Sequence, residues 1–254
     1  MPLVVLAFAG SASARLTPEE YRMIGVTVPQ NAAVPLDAVV TDEAGRDHAL
    51  ADDITRPTVL VFADYTCRML CGPALAFVAA ALDQSGLRAG AQFRLIVIGL
   101  DGRGSLTDID RLRREHLRGR ALENATVFLR ADAATSATLT NILGYRYRYD
   151  AEADQEIHPA AAFVLTADGK VSRVLTELGL SAQDLRLALV EAGQGRIGSL
   201  ADQVRLLCST FDPRRGTYTL AISRLLAGAS GATIVLLAGG IGLLWRADRR
   251  AVRG

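Results

Sequence analysis

Residues 57–63 (PTVLVFA) carry no charge and no turn signal, and a continuous apolar run of that length suits a strand buried on both faces of a sheet. A second run of the same kind, 91–99 (AQFRLIVIG), follows a helix expected over 73–84, so the middle of the chain reads strand, helix, strand. The pattern continues with a polar helix at 107–118, a strand at 125–130 and a helix at 133–143. Residues 160–166 and 171–176 flank Asp168-Gly169, a strong hairpin signal, and a last helix occupies 181–192. An earlier hairpin turns at 42–45 between strands near 38–41 and 46–50. These elements predict one α/β domain, a mixed sheet with helices on its faces and an antiparallel final pair of strands.

The 254 residues hold 28 Lys+Arg against 27 Asp+Glu, and a formal charge of +1 excludes a protein that grips nucleic acid by electrostatics. Half of the residues are hydrophobic, and the excess gathers near 2–14 and 225–245. Residues 1–14 (MPLVVLAFAGSASA) end in Ala12-Ser13-Ala14, the small-x-small form of a signal-peptidase site, and read as a secretory signal whose basic leading region would lie upstream. Residues 225–245 (LLAGASGATIVLLAGGIGLLW) carry no charge and, at about 1.5 Å per residue, are long enough to cross roughly 30 Å of hydrocarbon. Arg246, Arg249, Arg250 and Arg253 beyond that run favour a cytoplasmic tail at 246–254. The expected arrangement is a domain outside the cytoplasm, a juxtamembrane stretch at 193–224 and one transmembrane helix.

Two of the three cysteines, Cys67 and Cys71, stand directly after the first buried strand in FADYTCRMLCGPAL. Pro73 is suited to the first turn of the next helix, so both thiols lie where unpaired backbone N–H groups favour the thiolate. Such a pair can close a disulfide or hold a soft metal ion. Three intervening residues, one more than in a thioredoxin-type pair, lean towards a metal. Zinc would need further ligands that no second cysteine pair supplies, whereas Cu(I) is content with two thiolates and an imidazole. Of three histidines, His48 falls in the first hairpin and His116 in the charged helix RLRREHL, and both read as surface residues. His158 precedes Pro159 and a buried strand, at a strand end where α/β sheets place their sites.

These residues resemble the Sco/SenC family of copper chaperones over about 37–192. The resemblance is carried by VVTDEAGRDHAL, VLVFADYTCRMLC, RLIVIGLD and LGYRYRYDAEADQEIHPAAAFVLTADGKVSRVL, and by the distances between them. It implies a thioredoxin-like domain that serves copper insertion into cytochrome c oxidase, with Cys67, Cys71 and His158 as ligands of copper, most naturally Cu(I). The implied partners are the copper-site subunit of that oxidase and a periplasmic copper donor or thiol reductant, with no nucleic acid. The implied location is the bacterial inner membrane, with the domain facing the periplasm. A second reading uses the same two cysteines as a thiol–disulfide oxidoreductase that keeps the oxidase's copper-site cysteines reduced, His158 then tuning a thiolate.

The sequence departs from the family pattern at Arg68, where a proline usually follows the first cysteine, and at Gly99-Leu100-Asp101-Gly102, which keeps a carboxylate but not its usual neighbours. Asp101 is expected to steady the cysteine loop or cap a turn. Cys208 is a lone thiol between domain and membrane run, open to mixed disulfides or to plain packing. The alternation Tyr145-Arg146-Tyr147-Arg148-Tyr149 reads as a ridged strand or loop near His158. The helix bearing Arg111, Arg113, Arg114 and Arg118 reads as a solvated face.

Overall fold

In a computed structural model of the chain, residues 16–67, 71–100, 102–176, 180–194, 209–212, 217–220, 230–231, 233–234 and 236–241 are described. A short helix α1 (Pro18–Met23) and strand β1 (Gly25–Val26) lead into the hairpin β2 (Val39–Thr41) and β3 (Asp47–Ala49). The central segment is β4 (Thr58–Ala63), α2 (Cys71–Gln84), β5 (Arg94–Gly99), α3 (Leu106–His116), β6 (Thr126–Leu129) and α4 (Ala133–Ile142). Four strands follow, β7 (Tyr145–Arg146), β8 (Arg148–Asp150), β9 (Gln155–Ile157) and β10 (Ala161–Leu165), then β11 (Val171–Thr176) and α5 (Ala182–Ala192). A last hairpin pairs β12 (Ser209–Asp212) with β13 (Thr217–Leu220).

The main sheet has the order β11-β10-β4-β5-β6, with β4, β5 and β6 parallel, β10 antiparallel to β4 and β11 antiparallel to β10. The sequence expectation of a mixed α/β sheet holds. Every residue of β4 is buried, because the strand has neighbours on both edges and packing on both faces. Its side chains alternate with the period of two that a strand imposes. Val59, Val61 and Ala63 join Leu75, Val78, Leu82, Leu112, Leu185 and Leu189 on one side, while Leu60 and Phe62 join Val40, Leu50, Leu139, Leu143 and Phe163 on the other. Burying each large apolar side chain contributes roughly 1.5–3 kcal/mol, so the double-faced core is what fixes β4 in the middle.

The helices start where polar caps dictate. Ser105 accepts from Asp108 N–H while Asp108 reaches back to Ser105 N–H, a reciprocal cap that begins α3. Asp132 caps α4 through Thr135 N–H at 2.7 Å, and Ser181 caps α5 through Asp184 N–H at 3.1 Å. The Asp168-Gly169 turn closes β10 on β11, with Gly169 at φ +78, a conformation glycine adopts without a side-chain clash.

Three sequence expectations need adjustment. The helix after β4 begins at Cys71, two residues ahead of Pro73. Helix α3 is not simply a solvated face: Arg113 is half-buried over the Phe128 ring and paired with Glu43, and Arg111 reaches into the loop after β4, while Arg114 and Arg118 do stay exposed. The long stems of these arginines let the charge find a partner while the methylenes cover apolar surface. His48 and His116 are half-buried rather than surface residues. The signal stretch 1–14, Asp101, Cys208 and most of 225–245 lie outside the described residues. Between 230 and 241 the described residues are helical, with Ile234, Leu236, Leu237 and Ile241 exposed. Among the described residues no helix is long and apolar enough to cross a membrane.

Candidate metal and thiol site

Strand direction places the site. β10 runs antiparallel to β4 with Phe163 opposite Leu60 and Leu165 opposite Thr58. Continued past the paired residues, that register sets Pro159 opposite Asp64, so the segment just before β10 meets the segment just after β4. Cys67 and His158, far apart in sequence, therefore belong to one end of the sheet.

Asp64 organises the cysteine side. Its buried carboxylate takes Thr66 N–H at 2.8 Å, the Thr66 hydroxyl at 2.7 Å and Cys67 N–H at 3.2 Å on Oδ1, which folds the chain into a tight turn. Oδ2 takes Glu156 N–H of β9 at 2.8 Å. The next residue, Tyr65, is fully buried, and its hydroxyl lies 2.8 Å from both the Val97 and Leu129 carbonyls. Burial raises the Tyr65 phenol well above its ordinary value, so it stays a proton donor to those carbonyls. From α3, Arg111 donates to the Tyr65 carbonyl at 2.7 Å and reaches the Cys67 carbonyl at 3.5 Å. The loop is thus held by its backbone from three directions.

Cys67 is buried and its sulfur is disulfide-bonded. Sγ lies 3.3 Å from the side-chain amide of Gln155, a buried residue of β9. The facing atom is Oε1, to which a reduced thiol can donate, whereas a disulfide sulfur has no proton to give. Cys71 opens α2, and its side chain lies outside the described residues.

His158 closes the other side. The Tyr145 hydroxyl donates to the Pro159 carbonyl at 2.9 Å, and its oxygen stands 2.9 Å from His158 Nδ1, which is also 3.3 Å from that carbonyl. A carbonyl can only accept, and it lies within reach of both the Tyr145 hydroxyl and Nδ1. The arrangement that satisfies every one of these groups has Tyr145 donate to the carbonyl and Nδ1 carry its hydrogen, which leaves the lone pair on Nε2. Although the residue as a whole is half-buried, Nε2 is shut off from solvent and has no hydrogen-bond partner among the described residues. Burial lowers the His158 pKa, opposed by the Pro159 carbonyl and the Asp64 charge, so the ring is held neutral. A neutral imidazole with Nδ1–H anchored and a buried, unpartnered Nε2 is the state in which histidine ligates a metal.

Sequence reasoning singles out Cys67, Cys71 and His158. The structure ties the Cys67 turn and the His158 segment together through Asp64, Glu156 and Gln155. Among the described residues no group of three or more His, Cys, Asp or Glu side chains gathers as a metal site. Sequence reasoning places the Tyr145–Tyr149 stretch near His158, where Tyr145 is found, but misses Asp64, Gln155 and Arg111 as site residues. Of those three, Asp64 alone carries a signal, an acidic residue directly after an apolar strand.

No family model matches the sequence, and no curated protein matches it. Solved structures do share its fold. A candidate electron transfer protein from Aquifex aeolicus VF5 is 20% identical with a TM-score of 0.52, covering 65% of this chain and 98% of its own. BsSco, a member of the Sco family of cytochrome c oxidase assembly proteins in which a disulfide switch has been identified, is 15% identical with a TM-score of 0.52, covering 66% and 98%. Arabidopsis thaliana ScoI with copper bound is 14% identical with a TM-score of 0.50, covering 63% and 98%. At these identities the likeness establishes a common fold, a mixed sheet flanked by helices.

Proposed function

We propose that this chain is a Sco-type copper carrier that serves cytochrome c oxidase assembly, taking Cu(I) as cargo on the sulfurs of Cys67 and Cys71 and on His158 Nε2. The observation that carries the reading is His158 Nε2, buried and without a hydrogen-bond partner among the described residues, with Tyr145 and Pro159 on the other ring nitrogen. The fold shared with Sco proteins, one of them solved with copper, supports the same cargo. Two soft sulfurs and one imidazole suit a soft monovalent ion and leave a three-coordinate site open to a fourth ligand. Transfer would then proceed by exchange, a partner's thiolate or imidazole joining the ion as one of this chain's ligands leaves. In our reading the domain works in the periplasm, exported by 1–14 and tethered to the inner membrane by 225–245.

In this cycle a disulfide on Cys67 would be the oxidised form, which has no thiolates to offer copper. Loading requires a two-electron reduction: two thiols of a reductant become one disulfide, the protein disulfide becomes two thiols, and Cu(I) displaces their protons. The same chemistry supports the second reading, a thiol–disulfide oxidoreductase acting on the oxidase's copper-site cysteines, which is favoured specifically by the bonded state of Cys67. Titration of the reduced full chain in detergent with Cu(I) against a chelator separates the two. One tightly held Cu(I), weakened in Cys67→Ser, Cys71→Ser and His158→Ala alike, is the expected result. Failure to bind copper while the disulfide cycles with a dithiol would assign the oxidoreductase.

A further inference from the structure

The pair Cys67 and His158 poses a positional problem: a metal shared between them needs their two segments held within a fraction of an ångström, yet one follows β4 and the other follows β9. No backbone ladder joins β9 to β4, since β9 pairs only with β8 among the described strands. What joins them is side chains: Gln155 of β9 lies 3.3 Å from Cys67 Sγ, and the buried Asp64 bonds to the backbone of both segments. The Oδ1 of Asp64 takes all three donors of the cysteine turn, and Oδ2 takes the Glu156 N–H, two residues before His158.

We infer that Asp64 is a positioning residue for the ligand set, its two oxygens setting the Cys67 turn against the His158 strand. The inference rests on the copper reading for its purpose but not for its geometry. Burying a carboxylate is costly, and a neutral residue could have closed the local turn alone. Only an acceptor with two oxygens serves both segments at once. Asparagine separates the roles: its amide oxygen can keep the three turn bonds, but its NH2 then faces the Glu156 N–H, donor against donor. Asp64→Asn therefore keeps the turn and cuts the link.

The test uses the reduced full chain, wild type and Asp64→Asn, with Val190→Ala, a buried residue of α5, as a core variant of lowered stability. Three quantities are compared: exchange of the Glu156 amide hydrogen, the ring nitrogen shifts of metal-free His158, and Cu(I) affinity with the copper absorption fine structure. In Asp64→Asn we expect faster Glu156 exchange, altered His158 shifts, a Cu(I) affinity lower by about tenfold or more, and loss of the imidazole shell with the sulfur shell retained. Val190→Ala should keep the wild-type shifts, affinity and shells. If Asp64→Asn frees the Glu156 amide but leaves the His158 shifts unchanged, the inference is overturned. It is equally overturned if copper binds with wild-type affinity and an intact imidazole shell. Should the wild type bind no copper, the copper reading fails by itself, and the metal-free shifts still decide whether Asp64 positions His158.

Discussion

His48 on the β2–β3 hairpin and His158 before β10 are the same side chain put to opposite uses. Around His48 both ring nitrogens are occupied: Nε2 lies 2.7 Å from Asp53 Oδ2 and Nδ1 3.3 Å from the Arg46 carbonyl. The hydrogen bond to Asp53 is the largest influence and raises the His48 pKa, so the ring there is favoured as a cation. Around His158 one nitrogen has partners and the other has none among the described residues, while burial lowers the pKa. The difference is not burial alone but the partner set. A carboxylate turns imidazole into half of an ion pair, whereas a hydroxyl and a carbonyl on one nitrogen leave it a neutral ligand.

The ground beneath the two residues differs as well, and a pair of glycine substitutions exposes it. A Cβ on Gly104 would sit 2.5 Å from Tyr65 Cβ and 2.6 Å from Tyr65 Cδ2. Tyr65 cannot retreat, because its hydroxyl is tied to Val97 and Leu129 and its carbonyl to Arg111. A Cβ on Gly45, in the hairpin turn near His48, would meet nothing within 4 Å, and only the backbone φ of +77 resists a side chain there. Gly104→Ala should cost about 2–3 kcal/mol in urea unfolding through overpacking, against roughly 1 kcal/mol for Gly45→Ala. Equal costs would mean that the loop after β4 yields as readily as a surface turn, and the contrast between the two regions would go.

Tyr145→Phe attacks the partner set itself. It removes the oxygen that accepts from His158 Nδ1 and the proton that satisfies the Pro159 carbonyl, while the ring keeps its packing on Phe62 and Phe163. With Nδ1 held only by the longer contact to the Pro159 carbonyl, the hydrogen is freer to move to Nε2 and the ligand lone pair is lost for part of the time. Cu(I) affinity should fall by about tenfold, the range found for supporting groups behind a ligating histidine. His48→Gln, tested in parallel, should leave that affinity unchanged. An unaltered affinity in Tyr145→Phe, or a fall in His48→Gln, would erase the distinction drawn between the two histidines.

How far this contrast is legible in the sequence depends on the kind of signal. The apolar runs at 57–63 and 91–99 announce β4 and β5 because strands buried on both faces leave an uninterrupted hydrophobic trace. The cysteines and His158 stand out by residue type and by their position at strand ends. The β8–β9 hairpin leaves little trace, since its short strands mix Arg, Asp, Gln and Glu without alternation. Asp64 and Gln155 therefore cannot be connected from the sequence: each acts across a register that only the folded chain sets. The surface expectation for His48 fails for a similar reason, as its partner Asp53 is held by a 3-10 turn and by Arg94 from a different strand.

The ion-pair half of the comparison has its own pH signature, the smallest of these effects. The His48 pKa is raised in the folded protein, so the pair's contribution is fully present below the unfolded value of about 6.5 and is lost as the pH rises through the folded value. The charged groups around the ring are Asp53 at Nε2, Asp42 across the hairpin, and Arg94, which bonds Asp53 at 3.3 Å. Arg94 remains to balance Asp53 when His48 is neutral, which limits what deprotonation can cost. His48→Gln keeps an N–H for Asp53 but cannot titrate. Its stability deficit should be about 1 kcal/mol near pH 5.5 and should shrink steadily as the pH rises past the unfolded value of about 6.5. Thermal unfolding of both proteins across that window reads the difference directly. A deficit that grew with pH instead would mean that His48 is held neutral in the native state, as His158 is, and that the carboxylate does not set the character of the site.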